Sequence, residues 1–211
     1  MKFLSPSVRN RLLRRALSFQ PQAAVINGDH VYWDLLSPNT AKNYGQSQQA
    51  LNIAGRFDRA GIVLGGDNET ILKKVVSPQL VSVYGTDFRS TPVFFLMDDH
   101  DYFDNDDAFD EIITFPPSHF MLQLGRAAQR LYYPEFLPDA ARPRGLAWSS
   151  MSDRPEATSE CFGTIRYGRL AEVLLYEIRR TQTLAGPSAV YIDPEAERWL
   201  MNRMKASEVT H

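Results

Sequence analysis

Cysteine is almost absent. Cys161 is the only one in 211 residues, so no disulfide can form within the chain. Long apolar runs are missing too. Stretches such as Val93-Phe94-Phe95-Leu96-Met97 are far too short to span a bilayer. Lys2 is followed by no apolar stretch of the secretory kind, because Ser5-Pro6 interrupts at once. As written, the chain carries no signal of its own and is expected to be cytoplasmic, with a secreted parent left open by a start further upstream. There is no large excess of charge. Twenty-three basic and 25 acidic residues give a formal charge of −2, which demands neither nucleic acid nor an anionic membrane as partner. Nor is this a disordered composition: 44% of residues are hydrophobic and 23% charged, which suits one globular domain with a proper core.

What charge there is, is unevenly placed. Lys2, Arg9, Arg11, Arg14 and Arg15 stand within residues 1–20 with no acid among them, and read as a solvated helix face. The stretch Asp98 to Glu111 holds seven Asp, one Glu and no base. Carboxylates that dense repel one another unless a cation or hydrogen-bond donors sit among them.

Ser5-Pro6 starts a helix in which Val8, Leu12, Leu13 and Ala16 recur at helical spacing, with arginines on the other face. Ala23-Ala24-Val25-Ile26 lacks polar alternation and predicts a strand buried on both faces, ended by the turn Asn27-Gly28-Asp29. Residues 37–66 read as a long excursion with one helix around Gln48–Arg59. Asn68–Tyr84 predicts a helix that Pro78 would kink. Val93–Met97 is a second buried strand that runs directly into the acidic cluster. Pro116-Pro117-Ser118 begins a helix carrying Met121, Leu122, Leu124 and Ala128, with His119 at its start in a capping or packing role. Residues 134–160 are loop-like. Cys161–Tyr167 and Ala171–Tyr176 form two strands joined at Gly168-Arg169, and Ala189–Ile192 a further short strand. Asp193-Pro194-Glu195 caps a last helix that packs Trp199 and Leu200 inward. The order of elements argues for an α/β layered domain.

Two buried strands thus empty into acids and histidines, at Asp29-His30 and at Asp98-Asp99-His100-Asp101. In open α/β sheets, ligands bind beyond the carboxyl ends of the strands, so one shared site is expected. Phosphate ester hydrolysis needs a nucleophile at neutral pH and a clamp on a charged phosphoryl group, and two cations ~3.5–4 Å apart supply both. A carboxylate can bridge two metals, and a nearby histidine can protonate the leaving group. Oxygen donors suit Ca²⁺, Mg²⁺ or Mn²⁺, whereas a phenolate and histidines suit iron or zinc. The blander alternative for Asp98–Asp101 is a cap cluster or a structural calcium loop, although the spacing is not that of an EF-hand.

These residues carry a resemblance. Gly28-Asp29-x-x-Tyr32 resembles the GDxxY element of calcineurin-like metallophosphoesterases, and Asp98-Asp99-His100-Asp101 resembles the DDH[DE] element of PhoD-like (alkaline phosphatase D) phosphatases. Phe162-Gly163-x-x-Arg166-Tyr167-Gly168, Ala171–Arg179 and Pro194–Leu200 are similar to later elements of that family, so the likeness runs from about residue 20 to residue 205. It implies a four-layer αββα sandwich, present here in part, and hydrolysis of a phosphate mono- or diester at a binuclear site of Fe, Ca, Mn, Mg or Zn. In that scheme Asp29 bridges the metals, Tyr32 is a ligand of a ferric ion, and Asp99 is a further metal ligand. His100 is the general acid or phosphate contact, oriented by Asp98 and Asp101. His30 occupies a variable position and lines the site. Arg166 and Arg179 are open to two readings, phosphate contacts or ion pairs with Glu172 or Glu177.

The family also has a strand with an acidic or cysteine ligand before the first helix, and a Gly-Asp-x-His element with further histidines after the last. This sequence has only His30, His100, His119 and His211. The expectation is therefore a shortened domain over residues 1–211 with an incomplete site and little turnover. Self-association through uncovered strands is expected with it. The alternative is a non-catalytic remnant or cation-binding module of the same fold.

Overall fold

The computed structural model describes residues 5–32, 54–102, 119–133, 162–179, 186–187 and 189–211. The expected acidic stretch beyond Tyr102, the 134–160 loop and Cys161 lie outside them. The described chain is mixed α/β and divides into two compact units, Met1–Asn105 with Phe120–Pro134, and Asp106–His119 with Glu135–His211.

The first unit holds α1 (Pro6–Leu17), β1 (Ala24–Asn27), α2 (Asp67–Tyr84), β2 (Val93–Leu96), a single 3₁₀ turn (Asp99–Tyr102) and, from Phe120 onward, α3 (His119–Tyr132). β1 and β2 pair in parallel, Ala24 opposite Val93 through Asn27 opposite Leu96, so both strands end at the same edge. Apolar residues of α2, β2 and α3 close the core: Leu72, Val76 and Leu80 of α2, Phe95, Leu96 and Met97 of β2 and its end, and Leu124, Ala127 and Ala128 of α3. Phe95 lies in the middle, stacked on Tyr133 and edge-on to Tyr84 and His30. α2 starts and ends as its sequence predicts and runs through Pro78.

Three expectations need correction here. β1 is not buried on both faces. Ala24 and Ile26 are half-buried, but Val25 is 42% exposed and Asn27 is exposed, because alternate residues of a strand point to opposite faces and only one face meets the core. On α1 the half-buried apolar positions are Val8 and Leu13, as expected, and Leu17, while Leu12 and Ala16 face out and Arg14 Nε donates to Asp87 Oδ2 at 2.8 Å. The arginines thus include one that fixes α1 to the segment after α2. Of the helix expected over Gln48–Arg59, residues 48–53 are outside the described set and 55–59 are not helical.

The second unit contains β3 (Phe162–Tyr167), β4 (Ala171–Tyr176) and α4 (Pro194–Ala206). β3 and β4 form an antiparallel hairpin, with Tyr167 opposite Ala171 and Gly168 at φ +55 in the turn, as the glycine there suggests. Glu172 accepts hydrogen bonds from Arg203 and from the Ser207 hydroxyl, and its N–H donates to the His211 carbonyl at 2.9 Å, so α4 and the residues after it lie along the hairpin. Residues 189–192 are exposed or half-buried and form no strand, having no ladder partner among the described residues. Asp193 caps α4 as expected, its Oδ1 accepting the N–H groups of Glu195 at 2.8 Å and Ala196 at 3.2 Å. Asp193→Ala leaves two backbone donors, that of Ala196 buried, without that acceptor and should lower the stability of this unit by about 1 kcal/mol, read from a denaturant midpoint. No helix among the described residues is long and apolar enough to cross a membrane.

Candidate metal centre

The parallel pairing brings the two acidic motifs to the same edge. The Gly28 N–H donates to the Leu96 carbonyl at 2.8 Å, one residue past the strand, and there the ladder stops. Gly28 and Asp29 then both adopt left-handed backbone, at φ +78 and +56. Glycine reaches that region freely and aspartate with less strain than most residues. The reversal turns Asp29 back towards the end of β2, where Asp98 and Asp99 begin the 3₁₀ turn. Gly28 also packs against Asp98 so closely that a Cβ at position 28 would stand 2.3 Å from the Cβ of Asp98.

Asp29, Asp98 and Asp99 each offer a carboxylate oxygen, and these oxygens lie within 4.8 Å of one another. Asp29 is exposed, Asp98 half-buried and Asp99 buried, so the cluster opens to solvent on the Asp29 side. Three hard oxygen donors at this separation could supply part of the oxygen shell that Mg²⁺, Ca²⁺ or Mn²⁺ takes.

Tyr32 and His100 flank the cluster. The Tyr32 hydroxyl donates to Asp29 Oδ2 at 2.7 Å, and its ring stacks on His100 with centroids 4.1 Å apart. His100 Nε2 stands 3.9 Å from Asp99 Oδ2. Asp29, Tyr32, Asp98, Asp99 and His100 therefore form one neighbourhood, as the sequence led us to expect from two strands ending in acids.

Asp101 and His30 are placed differently. Both are buried, 1% and 6% exposed. Asp101 accepts backbone N–H groups from His30, Val31 and Asp98, and the Tyr133 hydroxyl lies 3.5 Å from its Oδ1. Burial pushes its carboxyl group up to about 7, against the lowering effect of the three N–H donors. His30 donates from Nε2 to the Leu96 carbonyl at 2.7 Å, and burial pushes its imidazole down to about 4, so it is neutral at pH 7. The hydroxyls of Tyr84 and Tyr133 are pushed up by burial and by the Asp101 charge, Tyr84 to about 12, and remain protonated donors. The His30 ring packs into the core, edge-on to Phe95 and Tyr133.

Gln79 escaped the sequence reading. From α2 its Oε1 accepts the Tyr32 N–H at 2.8 Å and its Nε2 donates to the Tyr32 carbonyl at 3.2 Å, so both backbone groups of Tyr32 are held by one amide. A glutamine in a helix carries no local sign of that role. Tyr133 packs on Phe95, and its hydroxyl also faces Asp101. His119 opens α3, and its side chain lies outside the described residues. Arg166 is on β3 and Arg179 stands just beyond β4, both in the second unit. Arg166 Nε donates to the Gly168 carbonyl at 3.1 Å.

A cavity of about 750 Å³ lies at the other end of β2, lined among others by Leu80, Tyr84, Phe88, Val93 and Tyr132. Among the described residues no carboxylate or imidazole lines it, which sets it apart from the strand-end cluster. Comparison of the chain with protein-family models, curated proteins and solved structures finds no match, and the chemistry of the site has to be argued from its own residues.

Proposed function

We propose that the edge shared by β1 and β2 is a cation-binding centre that serves metal-dependent hydrolysis of a phosphate ester. The reading rests on one observation: the carboxylates of Asp29, Asp98 and Asp99 converge to within 4.8 Å at the ends of two adjacent parallel strands, with His100 beside them. The donor set fits one hard divalent cation. A binuclear site calls for more ligands, and Tyr32 and His100 are described groups at hand for them. When bound, such cations supply a Lewis-acid clamp on the phosphoryl oxygens and a nucleophile at neutral pH.

The residues divide the remaining work. Asp29, Asp98 and Asp99 hold the cation. The Tyr32 hydroxyl, by donating to Asp29 Oδ2, fixes how that carboxylate is turned, and if deprotonated would itself suit a ferric ion. His100 would give a proton to the leaving oxygen, a role supported by the Tyr32 ring stacked on it, which holds its plane. The likeness to PhoD-like phosphatases implies the same roles for Asp29, Asp99 and His100, but gives Asp98 the orientation of His100 where the cluster suggests a metal ligand; the four-layer sandwich belongs to the same proposal.

Mn²⁺ or Ca²⁺ titrated into the purified chain by calorimetry, followed by assay on an aryl phosphate monoester and diester, tests it. Asp29→Asn is the informative variant, because asparagine keeps the left-handed backbone while removing the charge. Metal-dependent turnover that falls in Asp29→Asn, and by ~10²–10⁴-fold in His100→Ala, supports the enzyme. Cation binding without turnover favours the non-catalytic module. Absence of binding at millimolar cation ends both readings.

A further inference from the structure

The ladder between β1 and β2 ends at Gly28 and Leu96, short of both turns that carry the acids. What joins those turns is Asp101. Its Oδ1 accepts the N–H groups of His30 at 3.1 Å and Val31 at 2.9 Å, directly after Asp29. Its Oδ2 accepts the N–H of Asp98 at 2.9 Å, directly before Asp99. Its own N–H donates to the Asp98 carbonyl at 3.2 Å, which closes the 3₁₀ turn. One carboxyl group, 1% exposed, thus gathers backbone donors from two segments some 70 residues apart.

We propose that Asp101 is the positioning residue of the cation centre: by tying the backbone after Asp29 to the turn carrying Asp98 and Asp99, it holds the three carboxylates in register. The proposal rests on the cation reading above. It assigns Asp101 a role towards Asp29, across the strands, in addition to orientation of its neighbour His100. Asparagine cannot replace it. If the amide oxygen faces His30 and Val31, the amide NH₂ meets the Asp98 N–H; turned round, it meets the other two. Either way a donor faces a donor in a buried place, which leaves a backbone N–H without its partner.

The test compares wild type, Asp101→Asn and Leu124→Ala at pH 7.5, by Mn²⁺ calorimetry, thermal midpoint and amide hydrogen exchange. Leu124→Ala hollows the core of the same unit without removing a bond at either turn. Asp101→Asn is expected to weaken Mn²⁺ binding by roughly 10–100-fold, the usual consequence of losing a group that orients ligands. Leu124→Ala should lower the midpoint at least as much yet keep the Mn²⁺ affinity within about twofold, a split that a merely structural role for Asp101 would not produce. In the wild type, the His30 and Val31 amides should exchange as slowly as that of Ile26 although they lie beyond the strand. That arm needs no variant and stands if Asp101→Asn fails to fold. Wild type that binds Mn²⁺ while Asp101→Asn binds equally well, or His30 and Val31 amides that exchange at loop rates, overturns this proposal alone. Wild type that takes up no Mn²⁺ overturns the cation reading and this proposal with it.

Discussion

Gly28→Ala is expected to destabilise the first unit by about 2–4 kcal/mol and to disperse the acidic cluster. Two effects add. Backbone at φ +78 disfavours any residue with a Cβ by ~1 kcal/mol. The new Cβ would also stand 2.3 Å from Asp98 Cβ and 3.2 Å from its Cγ, and overlap of that kind in packed structure typically costs ~1–3 kcal/mol. Gly28 cannot relieve it by moving, since its N–H is bonded to the Leu96 carbonyl. The displaced group is Asp98, one of the three carboxylates, so Mn²⁺ affinity should fall with stability. Gly65 provides the control. It has φ +84 but nothing within 4 Å of a built Cβ, so Gly65→Ala should show only the backbone effect of ~1 kcal/mol. Urea midpoints for the two variants measure the difference. Equal losses would mean that Asp98 gives way at no cost, and that the close approach does not hold the cluster.

The second large effect is hidden in the wild type. Unfolded, a histidine titrates near 6.5 and an aspartate near 3.8; folded, His30 is near 4 and Asp101 near 7. Between pH 4 and 6.5 the unfolded pair carries one proton, on the histidine, and the folded pair also carries one, on the aspartate. Stability changes with pH only when the two states differ in bound protons, so this pair contributes almost no slope over that range. Removing either partner exposes the other. In His30→Gln, Asp101 alone keeps its proton in the folded state up to about 7 while the unfolded chain loses it near 3.8, so stability falls as pH rises between those values. In Asp101→Asn, His30 alone stays neutral when folded and takes a proton when unfolded. Stability is then full above about 6.5 and is lost as pH falls towards 4. Each swing is on the order of 3 kcal/mol. Urea midpoints followed by circular dichroism from pH 4 to 7.5, taken as differences from wild type at each pH, should slope with opposite sign in the two variants. Differences that slope with the same sign, or do not change with pH, would show that burial does not shift the two groups in opposite directions.

Much of the site was legible in the sequence because its signals are local. An apolar run ending in Asn27-Gly28-Asp29, and another ending in Asp98-Asp99-His100-Asp101, report two strand ends with acids on them, whatever the rest of the chain does. Gly28 is a turn residue for the same reason: its backbone requirement is written into its own lack of a side chain. The cap at Asp193 and the hairpin around Gly168 belong to this class, since cap and turn bonds join residues only a few positions apart.

Burial was less legible. Val25 reads as a core residue by composition and is exposed, and Leu12 likewise, because an apolar side chain is not told by its neighbours in sequence which face the fold will cover. The Asp101 bonds to His30 and Val31 and the Gln79 grip on Tyr32 span 71, 70 and 47 positions, and nothing near either residue encodes its partner. The sequence by itself determined the chemistry available, carboxylates, a phenol and an imidazole at two strand ends. Which carboxylates face one another and which one ties the turns together was decided only by the tertiary structure, because the β1–β2 register and the left-handed turn at Gly28-Asp29 set those distances, and both depend on packing between segments far apart in the chain.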